Sequence, residues 1–292
     1  MKRMNRPIRV GQNLYTNAWP VYYHMPVERL KGKVEWIEQV PSRLNRALAQ
    51  GEIDAGMISS FAYGESFPQY VLLPELSVSA YGSVGSVLLF HKEPLERVAN
   101  GRIALASTSA TSVNLLKIIL QKFYGGRPIY TYAAPHLEEM MEGRDAALLI
   151  GDDAIRASWA NRRYRVTDLG EQWLRWTGEW MTFAVWAVRK DALKRHADTV
   201  AELLAAFLES KRQSKLHPEP VAREAAARIG GTEPFWRRYF GGLCHDFGSE
   251  QRRGLQTYFR YARELGLLDH DVTIELWTDR PTERANRPAT LG

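Results

Sequence analysis

Residues 51–60 read GEIDAGMISS, and residues 143–153 read GRDAALLIGDD. Each stretch follows a helix-like segment, Arg43–Gln50 in the first case and Pro135–Glu142 in the second. In both, a glycine ends the helix, an Asp-Ala pair follows, and an unbroken apolar run completes the unit. Glycine stops helices because it enters the left-handed region without a Cβ clash. An apolar run without alternation is the pattern of a strand buried on both faces, as in a parallel sheet covered by helices. The recurrence predicts an α/β protein of two similar lobes, each a mainly parallel sheet flanked by helices, with a helical C-terminal region.

Working outward, strands are expected at Pro7–Gly11, Val34–Val40, Asp54–Ile58, Val71–Ser77 and Val84–Phe90, then at Arg102–Ala106, Pro128–Tyr132 and Ala146–Ile150. Ser42 is placed to cap the Arg43–Gln50 helix, because its side-chain oxygen can accept from an orphan amide. Val113–Phe123 carries apolar residues nearly all round, which predicts a buried helix. After Arg189 the character turns helical. Leu193, Val200, Leu203, Leu204, Phe207 and Leu208 form one stripe in Asp191–Lys215. Leu255, Tyr258, Phe259, Ala262 and Leu265 form another in Ser249–Leu265. Residues 278–292, TDRPTERANRPATLG, are polar and Pro-rich and read as a flexible tail.

The chain has 292 residues and a net charge of +6. The basic excess is two in residues 1–90, one in 91–183 and three in 184–292. Charge so evenly spread forms no basic stripe, which argues against nucleic acid as a partner. No apolar run approaches about 18 residues, so no membrane span is expected. The N-terminal MKRMNRPIRV lacks the apolar core of a secretory signal. Cys244 is the only cysteine. A lone cysteine forms no internal disulfide, which fits a reducing compartment, the cytoplasm. Phosphate-loop, dinucleotide, zinc-protease and redox CxxC motifs are absent, and the seven histidines show no metal-ligand spacing. No metal or cofactor is expected.

What remains is a pattern of positions. Ser42, Ser59-Ser60, the run Ser107-Thr108-Ser109-Ala110-Thr111-Ser112 and Asp152-Asp153 all follow strands. In parallel α/β sheets, ligands bind outside the carboxyl ends of the strands. Helix starts at that edge offer free amides and a positive dipole end to carboxylates or phosphates. Each hydroxyl alone is explained by capping; Thr108, Ser109, Thr111 and Ser112 together exceed what one cap requires. Asp152 or Asp153 is expected to cap the next helix. Asn17, in YTNAWP, reads either as a turn residue before proline or as a polar contact in a cleft. Five tryptophans fall between 159 and 186. Most are expected to pack near the lobe junction, with one or two walling a planar ligand.

Taken in order, RVG…N…P (Arg9 to Pro20), VPS (Val40–Ser42), GEIDA…ISS (Gly51–Ser60), GSVGSVLLF (Gly82–Phe90), TSATS (Thr108–Ser112), LIGDDA (Leu149–Ala154) and DLGxxW (Asp168–Trp173) resemble the chorismate dehydratases of the futalosine route to menaquinone. The resemblance covers most of residues 8–190; Trp180 departs from it, where a proline-containing turn is expected. It implies the periplasmic-binding-protein type II fold, with chain crossings near Phe90–Lys92 and Phe183–Trp186. One lobe would comprise 1–90 plus 185–277 and the other 91–184, closing on a small dicarboxylate. The implied reaction removes water from chorismate. With no lysine, histidine or carboxylate standing out as a base, the enolpyruvyl carboxylate of the substrate is expected to take the proton. Asn17 and Ser86 would be catalytic, orienting that carboxylate or the leaving hydroxyl. Ser42, Ser59, Ser60, Thr108, Ser109, Thr111, Ser112 and Asp152 would bind substrate.

Three alternatives share this fold. A solute receptor would carry an export signal or lipid anchor. The naphthoate-forming enzyme of the same pathway fits the TSATS and GSVGSVLL blocks less well. A regulatory sensor would need a DNA-binding segment.

Overall fold

The computed structural model describes residues 6–106 and 110–278. The tail expected at 278–292 falls, but for Thr278, outside the described residues. Ten strands form two five-stranded sheets. The first contains β1 (Ile8–Asn13), β2 (Val34–Gln39), β3 (Ala55–Ser59), β4 (Tyr70–Ala80) and β10 (Met181–Arg189), ordered β2-β1-β3-β10-β4. The second contains β5 (Val87–His91), β6 (Arg102–Ala106), β7 (Ile129–Ala133), β8 (Ala146–Ile150) and β9 (Arg165–Asp168), ordered β7-β6-β8-β5-β9.

The two orders are equivalent. β2-β1-β3 and β7-β6-β8 are parallel triplets, and β10 and β5 run antiparallel to both of their neighbours. β3 and β8, the strands that end the two repeated stretches, hold the same place in their sheets. Each antiparallel strand is the first laid down after the chain crosses from the other lobe. The first crossing lies between Ala80 and Val87, ahead of the expected Phe90–Lys92, and the second between Asp168 and Met181, ahead of Phe183–Trp186. Strand β5 starts at Val87 rather than Val84 for a local reason. The amides of Val84 and Gly85 donate to the Asp168 carboxylate instead of to a ladder.

The starts of β3 and β8 are built alike. The backbone amides of Asp54 and Asp145 each donate to the first parallel strand, to the carbonyls of Arg9 and Arg102 respectively, both at 2.8 Å. Each carboxylate also accepts from the amide of that same arginine, Arg9 at 3.0 Å and Arg102 at 2.7 Å. This is the physical content of the repeated Gly-x-(x)-Asp-Ala unit.

The helical region is Lys190–Leu216, Pro218–Ile229, Glu233–Gly242 and Ser249–Glu264. The first of these breaks at His196, whose backbone leaves helical geometry. The last bridges the lobes: Tyr258 donates from its hydroxyl to the Thr111 carbonyl at 3.0 Å. Apolar side chains of both sheets and of these helices merge into one large cluster, while Trp186 and Phe207 anchor a second core on the outer side of the first sheet. Among the described residues no helix is long and apolar enough to cross a membrane.

Candidate active site

A cleft that encloses about 50 Å³ and opens to solvent lies between the carboxyl ends of the parallel strands of both sheets. Asn13 ends β1, Ile58 and Ser59 end β3, and Ile150 ends β8; all line it, with Tyr15, Asn17, Ser86, Ser112, Gly151 and Phe183. Among the described residues that line it, no Asp, Glu, Lys, Arg or His appears. Its polar surface is made of amides and hydroxyls.

Ser59 and Asn17 are held so that they donate. Ser59 caps the Ser60–Ser66 helix, accepting from the Ala62 amide at 3.2 Å and from Asn45 Nδ2 at 3.1 Å. A hydroxyl has two lone pairs and one proton; with both lone pairs occupied, Ser59 keeps its proton for the cleft. Asn17 Oδ1 accepts from Asn13 Nδ2 at 3.4 Å, and the Asn17 carbonyl accepts from His245 Nε2 at 2.8 Å. Asn17 thus sits in the short Thr16–Ala18 turn after β1 and lines the cleft. A carbonyl only accepts, so His245 carries its proton on Nε2. Burial pushes this imidazole down to about 4, and it is neutral near pH 7.

The lobes meet beside the cleft. The ring of Tyr15, from the first lobe, packs on Gly151 of the second. Gly151 has a positive φ, and a Cβ there would come within 2.9 Å of that ring. Next to this contact, Thr16 Oγ1 donates to Asp152 at 2.5 Å. Burial pushes the Asp152 carboxyl up, against the hydrogen bonds from Thr16. Thr111 Oγ1 accepts from the Phe61 amide at 2.9 Å, so the second lobe helps cap a helix of the first.

Several expected site residues are thus placed elsewhere. The Asp152 carboxylate is turned onto Thr16, and it caps no helix: Ile150 holds that position, with no side-chain bond. Ser60 donates to the Thr182 carbonyl at 2.8 Å and is fully buried. Ser42 is not a cap; Val40 takes that position, Pro41 opens the helix, and it is Pro41 that lines the cleft. Thr108 and Ser109 lie outside the described residues. Asn17, Ser59, Ser86 and Ser112 are brought together at the cleft.

Among the described residues no tryptophan walls it, contrary to the expectation for one or two of them. Trp173 is fully buried and donates to the Trp180 carbonyl at 3.0 Å, Trp159 packs on Phe235 and Trp236, and Trp176 stacks on Phe123. Trp180 lies against Tyr81, and Trp186 belongs to the outer core. Tyr15 and Phe183 supply the aromatic lining instead.

The DLG unit explains the approach to Ser86. Asp168 caps the Leu169–Thr177 helix and also accepts from Ser83 Oγ at 2.9 Å and from the Gly85 amide at 2.7 Å. A Cβ on Gly170 would lie 2.3 Å from the Gly82 carbonyl oxygen, so only glycine lets the loop sit on the helix start.

A family model described as menaquinone biosynthesis matches residues 8–264. The chain belongs to this family. It is 32% identical to a chorismate dehydratase of Thermus thermophilus over 277 residues, which are 90% of this chain and 96% of that protein. Among solved structures, an Archaeoglobus fulgidus protein superposes with a TM-score of 0.75 at 18% identity, covering 92% of this chain and all of that one. The periplasmic aliphatic sulphonate binding protein of Escherichia coli superposes with a TM-score of 0.69 at 17% identity, covering 94% and 92%. At that identity the structures speak for the fold, which is periplasmic-binding-protein-like.

Proposed function

We propose that the protein is a chorismate dehydratase, a hydro-lyase of the futalosine route to menaquinone acting in the cytoplasm. The product is 3-(1-carboxyvinyloxy)benzoate. The single observation that carries the mechanism is the neutral cleft: donor hydroxyls and amides, with no ionisable side chain of Asp, Glu, Lys, Arg or His among the described lining residues.

Chorismate loses its C4 hydroxyl and its C3 hydrogen, and the ring becomes aromatic, so much of the drive belongs to the substrate. The protein must hold the ring between lobes that open and close, aid the departing hydroxyl, and keep competing rearrangement slow. Holding removes translational and rotational freedom, worth up to about 7–11 kcal/mol in well-oriented cases. The donors at Ser59, Ser112 and Asn17 suit the two carboxylates. Ser86 suits the leaving hydroxyl or the side-chain carboxylate beside it. With no protein base in the lining, the enolpyruvyl carboxylate takes the C3 proton, and the C–H electrons form the ring double bond as the C4–O bond breaks.

Incubation with chorismate tests this directly. The expected product is lighter by one water, detected by mass spectrometry. Tight binding with no turnover would favour a solute receptor instead.

A further inference from the structure

Ser86 is held from a second side, by a residue of the helical region. Tyr239, on the Glu233–Gly242 helix, donates from its phenol to Ser86 Oγ at 2.9 Å. The phenol is buried, and its ring packs against Phe235, Trp236 and Phe240. The backbone of Gly85 comes against the ring edge: a Cβ there would touch it at 3.4 Å. Burial keeps this phenol protonated, well above its ordinary value. The hydrogen bonds with Ser86 and Thr16 oppose that shift, while the Asp152 and Asp168 carboxylates add to it. Tyr239 therefore keeps its proton throughout the working pH range, and the geometry directs that proton to Ser86 Oγ.

A donor at that place decides what the serine can do. One lone pair of Ser86 Oγ is filled by the phenol. Among the described residues the serine proton meets the Val84 carbonyl at 3.5 Å, which is the outer limit of a hydrogen bond. An acceptor in the cleft at ordinary distance takes that proton more strongly. Without the phenol, Ser86 would be free to rotate and to accept as readily as donate. The Asp168 clamp on Ser83, Val84 and Gly85 fixes where the loop lies; it does not set the hydroxyl rotor.

We propose that Tyr239 is a positioning residue for the dehydration: by donating to Ser86 Oγ, it commits the serine hydroxyl to donate into the cleft, toward the departing oxygen or the carboxylate beside it. This rests on the dehydratase reading. The ligand recognised is an oxygen acceptor that gains negative charge as the C4–O bond breaks, and preorganised donors at such positions act mainly on the chemical step.

The test is a double-mutant cycle on the full chain with chorismate as substrate, using Tyr239→Phe, Ser86→Ala and the pair. Tyr239→Phe keeps the ring and its packing. It is expected to lower kcat about tenfold or more, with KM within about threefold and Tm within about 5 °C of the parent. In the Ser86→Ala background the same change is expected to alter kcat by less than about twofold, because the phenol then has no hydroxyl to orient. A Tyr239→Phe kcat within about twofold of the parent overturns the proposal. So does an undiminished loss in the Ser86→Ala background, which marks a structural role. Should Tyr239→Phe shift Tm further than stated, the cycle still decides, since folding losses multiply while the orienting effect does not. A parent that fails to dehydrate chorismate overturns the dehydratase reading itself, and that result is seen before any variant is made.

Discussion

The two lobes begin their central strand by one device and end it by two. Where β3 and β8 start, Asp54 and Asp145 each tie the strand to its parallel neighbour through an arginine amide. The first is buried and ringed by Arg6 and Arg9; the second is exposed. Where the strands end, β3 leads into the capping hydroxyl of Ser59, while β8 leads into Gly151 and an Asp152 that reaches across to the other lobe. The starts carry charge and structure. The ends carry the cleft, and its lining is neutral. Substitutions at the strand starts should therefore move stability without turnover, and substitutions at the strand ends and cleft loops should act mainly on binding and turnover, with a stability cost where the hydroxyl also caps a helix.

Ser86→Ala is the largest expected effect on chemistry. Loss of one donor to developing charge costs about 100-fold in kcat, with Tm nearly unchanged. Steady-state kinetics beside a thermal melt separates the two. Asp54→Asn should do the opposite. Burial pushes the Asp54 carboxyl up, but the hydrogen bonds from Arg9 and Arg6 outweigh it and hold the group below its ordinary value. Replacing the charged acceptor should cost about 2–3 kcal/mol at pH 7, with kcat within about twofold. A group depressed in the folded state contributes stability above its unfolded value and loses it as pH falls through the folded one. The gap between parent and Asp54→Asn in denaturant melts should therefore shrink below about pH 4.

Ser59→Ala should cost about 1 kcal/mol from the lost cap and raise KM for chorismate, since the same hydroxyl faces the cleft. Asp145→Asn should cost less than Asp54→Asn, about 0.5 kcal/mol, because its carboxylate is exposed and its partner is a neutral amide. Equal losses at Asp54 and Asp145 would break the comparison. Asp152→Asn is the smallest effect. Burial raises this carboxyl, so its charge opposes folding at neutral pH, and the opposition vanishes below its unfolded value. The variant keeps an acceptor for Thr16. Its Tm at pH 7 should equal or slightly exceed the parent's, with the difference closing as pH falls toward 4.

Much of the frame is legible in the sequence because it is local. The Gly-x-(x)-Asp-Ala repeat announces itself within one strand, and the equivalent positions of β3 and β8 follow from it. Strand β5 starts later than its expected Val84 because the carboxylate that claims the amides of Val84 and Gly85 is about 80 residues away. The site is half legible. Ser59, Ser112 and Asn17 follow strands and line the cleft, as hydroxyls and amides at such positions should, whereas Ser86 precedes β5 and is legible only through the family resemblance. Asp152 and Ser60 follow strands too, yet each meets a partner from another element that no spacing reveals. Tyr239 and His245 carry no motif at all; only folding of the helical region brings them behind Ser86 and Asn17. Trp159, Trp173 and Trp186 pack, as most of the cluster is expected to, and only the expectation that one or two wall the ligand fails. A tryptophan cluster in sequence is more often core, and these serve as core.

The central claim is that a cleft without a protein base lets the substrate's own carboxylate take the proton. The most direct measurement compares chorismate with its analogue in which the enolpyruvyl carboxylate is a carboxamide, following loss of water by mass spectrometry and binding by competition. The account predicts that the analogue competes for the cleft and is not dehydrated. Dehydration of the carboxamide at a rate comparable with chorismate would contradict it and place the base on the protein.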